Sequence, residues 1–144
     1  MKAKKKYGQH FLTNEHYARK IAADILREDQ TGRLLEVGPG KGFLTQFLLT
    51  EQAELKLVEL DADMIDHLEH EFQLAEGDIL HKDFLKLDLQ SVFDGRDFSI
   101  VGNFPYNISS QIVFKLIDHR AVVPEMVGMF QKEVAERIVA EPGS

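Results

Sequence analysis

The sequence predicts an α/β domain with a mainly parallel sheet and helices on both faces. Three observations predict it. Short apolar runs of strand length alternate with longer stretches of helical spacing. The first apolar run ends in a glycine cluster, Gly38, Gly40 and Gly42. Later runs end in carboxylates or amides, where a parallel sheet presents ligand-binding groups at the carboxyl ends of its strands.

The elements follow in order. Tyr17–Leu26 places Tyr17, Ile21 and Ile25 on one helical face, with Thr13 or Asn14 available as a cap. Arg33–Gly38 is a short apolar run and reads as a buried strand; Phe43–Glu51 follows at helix length. Leu55–Leu60 is strand-like. Ala62–Phe72 aligns Ile65, Leu68 and Phe72 as a helix. Asp78–Phe84 is a weaker strand. Phe98–Asn103 is a strong one, preceded by the turn signal Asp94-Gly95. Ser109–Ile117 reads as a helix with serines at its start, Glu125–Gln131 as a fifth strand and Lys132–Ala140 as a last helix.

A chain of 144 residues suits one domain. It has no cysteine, which excludes disulfides and thiolate metal sites and suits a reducing compartment. No apolar run reaches the ~18 residues that span a membrane. The basic start lacks the apolar segment of a secretory signal, so a cytoplasmic protein is expected. Net charge is −7, unevenly spread. Residues 1–30 carry seven Lys/Arg against four Asp/Glu, whereas residues 31–144 carry ten against twenty. A basic arm on an acidic body can meet phosphate locally, and the acidic body speaks against broad nucleic-acid binding by this chain alone.

The glycine cluster directly follows a strand. A dinucleotide fingerprint would place its third glycine at position 43, which is Phe43. There is no phosphate-loop lysine pattern either. Glu59 ends the second strand, 21 residues after Gly38, where a carboxylate can accept from two ribose hydroxyls. Asp61 competes for that role or caps the next helix. Asp83 ends the third strand and can accept from an adenine amino group. Together these favour an adenosine ligand without a phosphate, and S-adenosyl-L-methionine fits.

The stretch Ser99–Ser110, "SIVGNFPYNISS", ends the fourth strand in an amide, two aromatics and a proline. This suits an amino group on a planar base as methyl acceptor. Such a nitrogen is a poor nucleophile, and two hydrogen-bond acceptors can hold its hydrogens in line with the methyl donor. The Asn103 side-chain oxygen is one acceptor and the Phe104 carbonyl the second. Pro105 restricts Phe104 to extended backbone and aims that carbonyl. Tyr106 offers a stacking face for an extruded base. His67 and His70 lie among Glu69 and Glu71 and read as surface residues rather than metal ligands. His16, His81 and His119 show no partner pattern. Gln131–Glu133 suits the edge of the cofactor site and a helix start equally.

The segments "GQHFL", "LLEVGPGKGFLT", "LVELD", "KDF", "VGNFPYNISS" and "FQKEVAERIVA" occur in the order and spacing of the ribosomal RNA adenine N6-dimethyltransferases. The chain closely resembles the KsgA-type, small-subunit members over residues 7–144. The resemblance implies a Rossmann-like S-adenosylmethionine-dependent methyltransferase fold. It implies that His10 and Leu12 line the cofactor site, with Gly38 and its loop, Gly40 included, at the methionine part. Glu59 would hold the ribose and Asp83 the adenine; Asn103 would touch cofactor and target amine, with Phe104 and Tyr106 beside it. Many relatives have asparagine at the place of His10, and Phe104 replaces a common leucine or proline.

Residues 1–12 are then a basic arm with a cofactor-lining motif, and 13–144 a catalytic domain incomplete at its C-terminus. Its last strands and a C-terminal helical domain are expected to be absent. The exposed fifth strand is expected to promote self-association, and the fragment alone to methylate weakly or not at all. The implied activity is N6-dimethylation of two adjacent adenines in a 3′-terminal hairpin loop of small-subunit (16S) rRNA, linked to subunit maturation. No metal and no membrane are implied. The competing readings are a large-subunit rRNA methyltransferase of the macrolide-resistance type and a non-catalytic ribosome-assembly or RNA-binding factor.

Overall fold

The computed structural model describes residues 15–104 and 109–130. Their elements follow the predicted order, with a 3₁₀ turn and a short helix added between the third and fourth strands, where the sequence predicts none: α1 (Glu15–Glu28), β1 (Arg33–Val37), α2 (Thr45–Leu48), β2 (Glu54–Glu59), α3 (Ala62–Glu71), β3 (Ile79–His81), a 3₁₀ turn (Phe84–Lys86), α4 (Leu89–Val92), β4 (Ser99–Phe104), α5 (Ser109–Asp118) and β5 (Met126–Phe130). All strand pairings are parallel, in the order β3-β2-β1-β4-β5. The chain builds outward from β1 to β3, then crosses back to lay β4 on the other side of β1. The crevice of such a sheet opens at that reversal, above the carboxyl ends of β1 and β4.

Alternation along each strand divides the core into two layers. Leu35, Val37, Val58, Ile100 and Phe104 face α4, α5 and the 3₁₀ turn, packing with Phe84, Phe93, Ile112 and Leu116. Leu34, Leu57 and Val101 face the other way, onto Ala22 and Ile25 of α1, Leu48 of α2 and Leu68 of α3. Helices therefore cover both faces. At the amino ends of the strands, Asp29 ties α1 to β4: its carboxylate accepts from the Thr31 and Gly32 amides and from the hydroxyls of Thr31 and Ser99. Burial raises its pKa, but those four donors outweigh burial and hold it below the ordinary range.

Two expectations change, and one of the alternatives offered for Asp61 is met. The predicted helix Phe43–Glu51 shrinks to Thr45–Leu48, because the glycine loop continues in turns through Leu44. The third strand stops at His81, so Asp83 does not end it; Asp83 caps the following 3₁₀ turn, accepting from Leu85 N–H at 3.0 Å. Asp61 caps α3, accepting from Asp63 N–H at 2.9 Å. The turn at Asp94-Gly95 is present, with positive φ at both residues. Thr13, Asn14 and the predicted helix Lys132–Ala140 lie outside the described residues. No helix among those described is long and apolar enough to cross a membrane.

β4 approaches β1 closely just before the predicted acceptor motif. Gly102 pairs with Val37, and a Cβ on Gly102 would collide with the Val37 carbonyl oxygen. Backbone cannot yield as a flexible side chain can. Gly102→Ala is expected to destabilise the domain by about 2 kcal/mol, in the range of overpacked cores. Urea unfolding monitored by circular dichroism checks this; an unchanged midpoint would contradict the close packing.

Candidate cofactor and acceptor site

β1 leads into the loop Gly38-Pro39-Gly40-Lys41-Gly42 at the sheet's reversal. Gly38, Gly40 and Gly42 all have positive φ, which side-chain-bearing residues rarely adopt. Two of them differ in purpose. A Cβ at Gly42 would strike the Phe72 ring, so this glycine lets the loop pack on the end of α3. A Cβ at Gly40 would meet open space. A small cavity of about 140 Å³ lies there, lined by Glu36, Gly38, Pro39, Gly40, Lys41, Phe43 and Leu44. It is smaller than a typical ligand pocket of roughly 300 Å³ or more, and so can take only part of a nucleoside-sized ligand.

Glu59, at the end of β2, clamps this loop. Its Oε1 accepts from Gly40 N–H at 3.0 Å, and Oε2 accepts from Leu60 N–H at 2.9 Å and Asp61 N–H at 3.0 Å. A carboxylate has about four acceptor positions, so three donors leave about one. A vicinal diol would need one of these amides to share or yield its position. Glu59 pairs in register with His81, whose Nε2 contacts the Leu60 carbonyl at 3.0 Å. Leu60 itself is 62% exposed, an apolar side chain at the sheet's ligand edge. Asp83 stands two residues past the end of β3, half-buried, on the neighbouring strand end.

The sequence reading missed Glu36. It is the fourth residue of β1, 2% exposed, and its Oε1 accepts from the Thr45 hydroxyl at 2.6 Å. Burial pushes its pKa up to about 8; the Thr45 hydrogen bond opposes this, and the charge of Glu59 adds to it. The available signal was a single carboxylate inside the apolar run Leu34–Val37, on the strand that feeds the glycine loop.

The acceptor motif begins within β4. Asn103 is its penultimate residue and pairs in register with Met129 of β5. Val37 pairs with Gly102, so Gly38 and Asn103 each follow the same rung on neighbouring strands. The Phe104 side chain is fully buried in the α5-side core, and its backbone is in register with Phe130 of β5. His10, Leu12, Pro105, Tyr106 and Gln131 lie outside the described residues. Among the rest, the fold brings Gly40 into direct contact with Glu59 and Gly38 into contact with Val58 beside it, with Asn103 one strand to one side and Asp83 beyond β2 on the other. His67 and His70 are exposed on α3, and His70 Nδ1 donates to the Asp66 carbonyl at 2.7 Å.

The profile of the family described as "Ribosomal RNA adenine dimethylase" matches residues 1–144. The chain belongs to the ribosomal RNA adenine dimethylase family. It is 49% identical to the "Ribosomal RNA small subunit methyltransferase A" of Phocaeicola vulgatus, aligning over 100% of this chain and 51% of that protein. It is 50% identical to the protein of the same name from Parabacteroides distasonis, over 100% of this chain and 53% of the relative. The chain thus spans about half the length of the curated relatives it matches.

Among solved structures, a dimethyladenosine transferase from Plasmodium falciparum superposes with a TM-score of 0.61 at 30% identity, covering 88% of this chain and 45% of that one. The 23S rRNA methyltransferase ErmE gives a TM-score of 0.66 at 24% identity, covering 92% and 52%, and shares the fold. Both likenesses agree with the Rossmann-like α/β architecture of S-adenosylmethionine-dependent methyltransferases.

Proposed function

We propose that this chain forms the cofactor-binding and acceptor-holding part of an S-adenosyl-L-methionine-dependent rRNA adenine N6-dimethyltransferase of the small ribosomal subunit. The observation that carries the reading is the clamp of Glu59 on the open Gly40 cradle, one strand away from the Asn103 motif. Its close relatives are named as small-subunit methyltransferases, which favours that substrate over large-subunit RNA. Two adjacent adenines in a 3′-terminal hairpin loop suit the motif, since an unstacked loop base costs little to extrude.

The residues present fit the cofactor. Beside the cavity wall stands the Glu59 carboxylate, which suits a ligand bearing sulfonium and ammonium charges, while burial keeps Glu36 a neutral acid. The open space over Gly40 admits close backbone approach. Gly38 and Gly40 would meet the methionine part, Glu59 the ribose, Leu60 one face of the adenine and Asp83 its amino group. When bound, the cofactor supplies an electrophilic methyl group. The chain's own contribution is placement: Asn103 and the Phe104 carbonyl accept from the target amine, Pro105 holds that carbonyl in line, and Tyr106 stacks on the base. His10 and Leu12 would close the cofactor side.

Glu59→Gln is expected to weaken cofactor binding by the full-length protein about tenfold to a hundredfold, the worth of a hydrogen bond to a charged group. Calorimetric titration with S-adenosylhomocysteine measures it, and unchanged affinity would remove Glu59 from the ribose role. The proposal as a whole is tested by offering the full-length protein labelled cofactor with unmodified small or large subunits. Label in small-subunit adenine alone supports it. Label in large subunits supports the macrolide-resistance type of activity. Subunit maturation without label would support an assembly factor.

A further inference from the structure

Lys115 lies on α5, far along the chain from the turn that carries Asp83, yet its side chain ends beneath that turn. Its Nζ donates to the Leu87 carbonyl at 2.6 Å and to the Leu85 carbonyl at 3.0 Å, and stands 5.5 Å from the Phe84 ring centroid. Leu85 is thereby held from both sides: Asp83 Oδ1 accepts its N–H at 3.0 Å, and Lys115 donates to its carbonyl. The turn's own closure consists of Lys86 N–H to Asp83 O at 2.9 Å and Leu87 N–H to Phe84 O at 3.2 Å. Such short 3₁₀ segments have poor hydrogen-bond geometry and depend on outside contacts.

The lysine is half-buried, and burial lowers its pKa, while the charges of Asp83 and Asp88 act the other way. Withdrawing an ammonium from water is unfavourable unless its hydrogens find partners. Here the partners are two backbone carbonyls, one within the turn and one just after it, where an unpaired carbonyl would otherwise need water. The helix bearing Lys115 begins at Ser109, five residues after Phe104 ends β4. A single side chain therefore links the helix that follows the acceptor motif to the turn that carries the predicted adenine acceptor.

We propose that Lys115 is a positioning residue, which fixes the Asp83 turn against α5 and so sets the fit of the cofactor's adenine end. This rests on the reading of the site as an adenosine-cofactor site. It differs from a stabilising role in what it predicts. Loss of the ammonium shifts adenine recognition, not merely melting temperature.

The test uses the full-length protein with Lys115→Met, which keeps the stem and deletes the donors, and Lys115→Arg, which keeps charge and donors. Asp83→Asn is measured in parallel. The readouts are cofactor KM, kcat at saturating cofactor, and relative inhibition by S-adenosylhomocysteine and S-inosylhomocysteine, which carries a carbonyl in place of the adenine amino group. For Lys115→Met, KM is expected to rise about tenfold and the adenine preference to fall about tenfold, the worth of one charged hydrogen bond. Its kcat stays within about threefold, because the acceptor groups are untouched. Lys115→Arg recovers most of the preference. If Lys115→Met does not fold, Lys115→Gln is measured with the same expectations.

A folded Lys115→Met or Lys115→Gln variant with unchanged KM and unchanged adenine preference overturns the proposal, whatever its melting temperature. If Asp83→Asn leaves the preference intact while Lys115→Met lowers it, the Asp83 reading fails. The positioning role then stands, exerted through the turn's backbone. If neither cofactor analogue binds the wild-type protein, the adenosine-site reading fails and the proposal with it.

Discussion

Replacing Asn103 with alanine is expected to lower kcat for methyl transfer by about 10²–10³-fold in the full-length protein, the cost of deleting one preorganised dipole at a reacting centre. The reason lies in the weakness of the nucleophile. An exocyclic adenine nitrogen shares its lone pair with the ring, so the site must bind both hydrogens while leaving the lone pair free. One proposed acceptor is backbone, the Phe104 carbonyl, which substitution cannot delete; Asn103 is the other and can be removed. β4 sets its place. Gly102 brings this strand against β1 at Val37, so Asn103 follows the same rung as Gly38 at the head of the glycine loop. Single-turnover transfer of labelled methyl to unmodified small subunits measures the effect. Cofactor affinity, titrated separately, should change by less than about tenfold if the interaction belongs mainly to the transition state. Retention of more than a tenth of the wild-type rate would take Asn103 out of the acceptor role.

Much of the fold was legible because parallel strands buried on both faces read as near-continuous apolar runs. Arg33–Val37, Glu54–Glu59 and Ser99–Phe104 lie within one or two residues of where their sequences place them. The glycine loop was legible for the same reason, since it interrupts one such run. Where local chemistry overrode pattern, the reading went astray. Phe43–Glu51 has enough apolar residues for a helix, but positive φ at Gly42 prolongs the loop and leaves four helical residues. Asp83 sits inside the predicted strand Asp78–Phe84, and Asp88 in a stretch for which no element is predicted. Each instead accepts a backbone N–H two residues on and starts a short helical turn. The candidate site shows the same division. Glu59 was legible from its place at the end of a strand, but its clamp on Gly40 was not, because that donor reaches it only in the folded loop. Glu36 was overlooked because strand periodicity treats a carboxylate in an apolar run as a blemish rather than as a buried acid.

That buried acid makes the stability of the described domain depend on pH. In the unfolded chain Glu36 titrates near its ordinary 4.5, while burial raises it to about 8 in the fold. Below pH 4.5 both states hold the proton and the group makes no difference. As pH rises, the unfolded state gains the free energy of ionising in water while the folded state keeps the neutral acid. Stability therefore falls by about 1.4 kcal/mol per pH unit, until the folded group ionises as well. Between pH 5 and 7 the loss is about 3 kcal/mol, a large share of the roughly 5–15 kcal/mol that holds a typical domain together. Glu36→Gln keeps the shape and the oxygen that accepts from Thr45, and removes the titration. Its stability relative to the wild type is expected to rise through this window by about 3 kcal/mol and to level off above pH 8. Urea unfolding of both proteins at half-unit steps from pH 5 to 8.5 measures the difference, in which the titration of every other shared group cancels. A difference that stays constant across the series would mean that Glu36 is ionised in the fold. Its carboxylate would then stand charged beside that of Glu59 at the cavity wall.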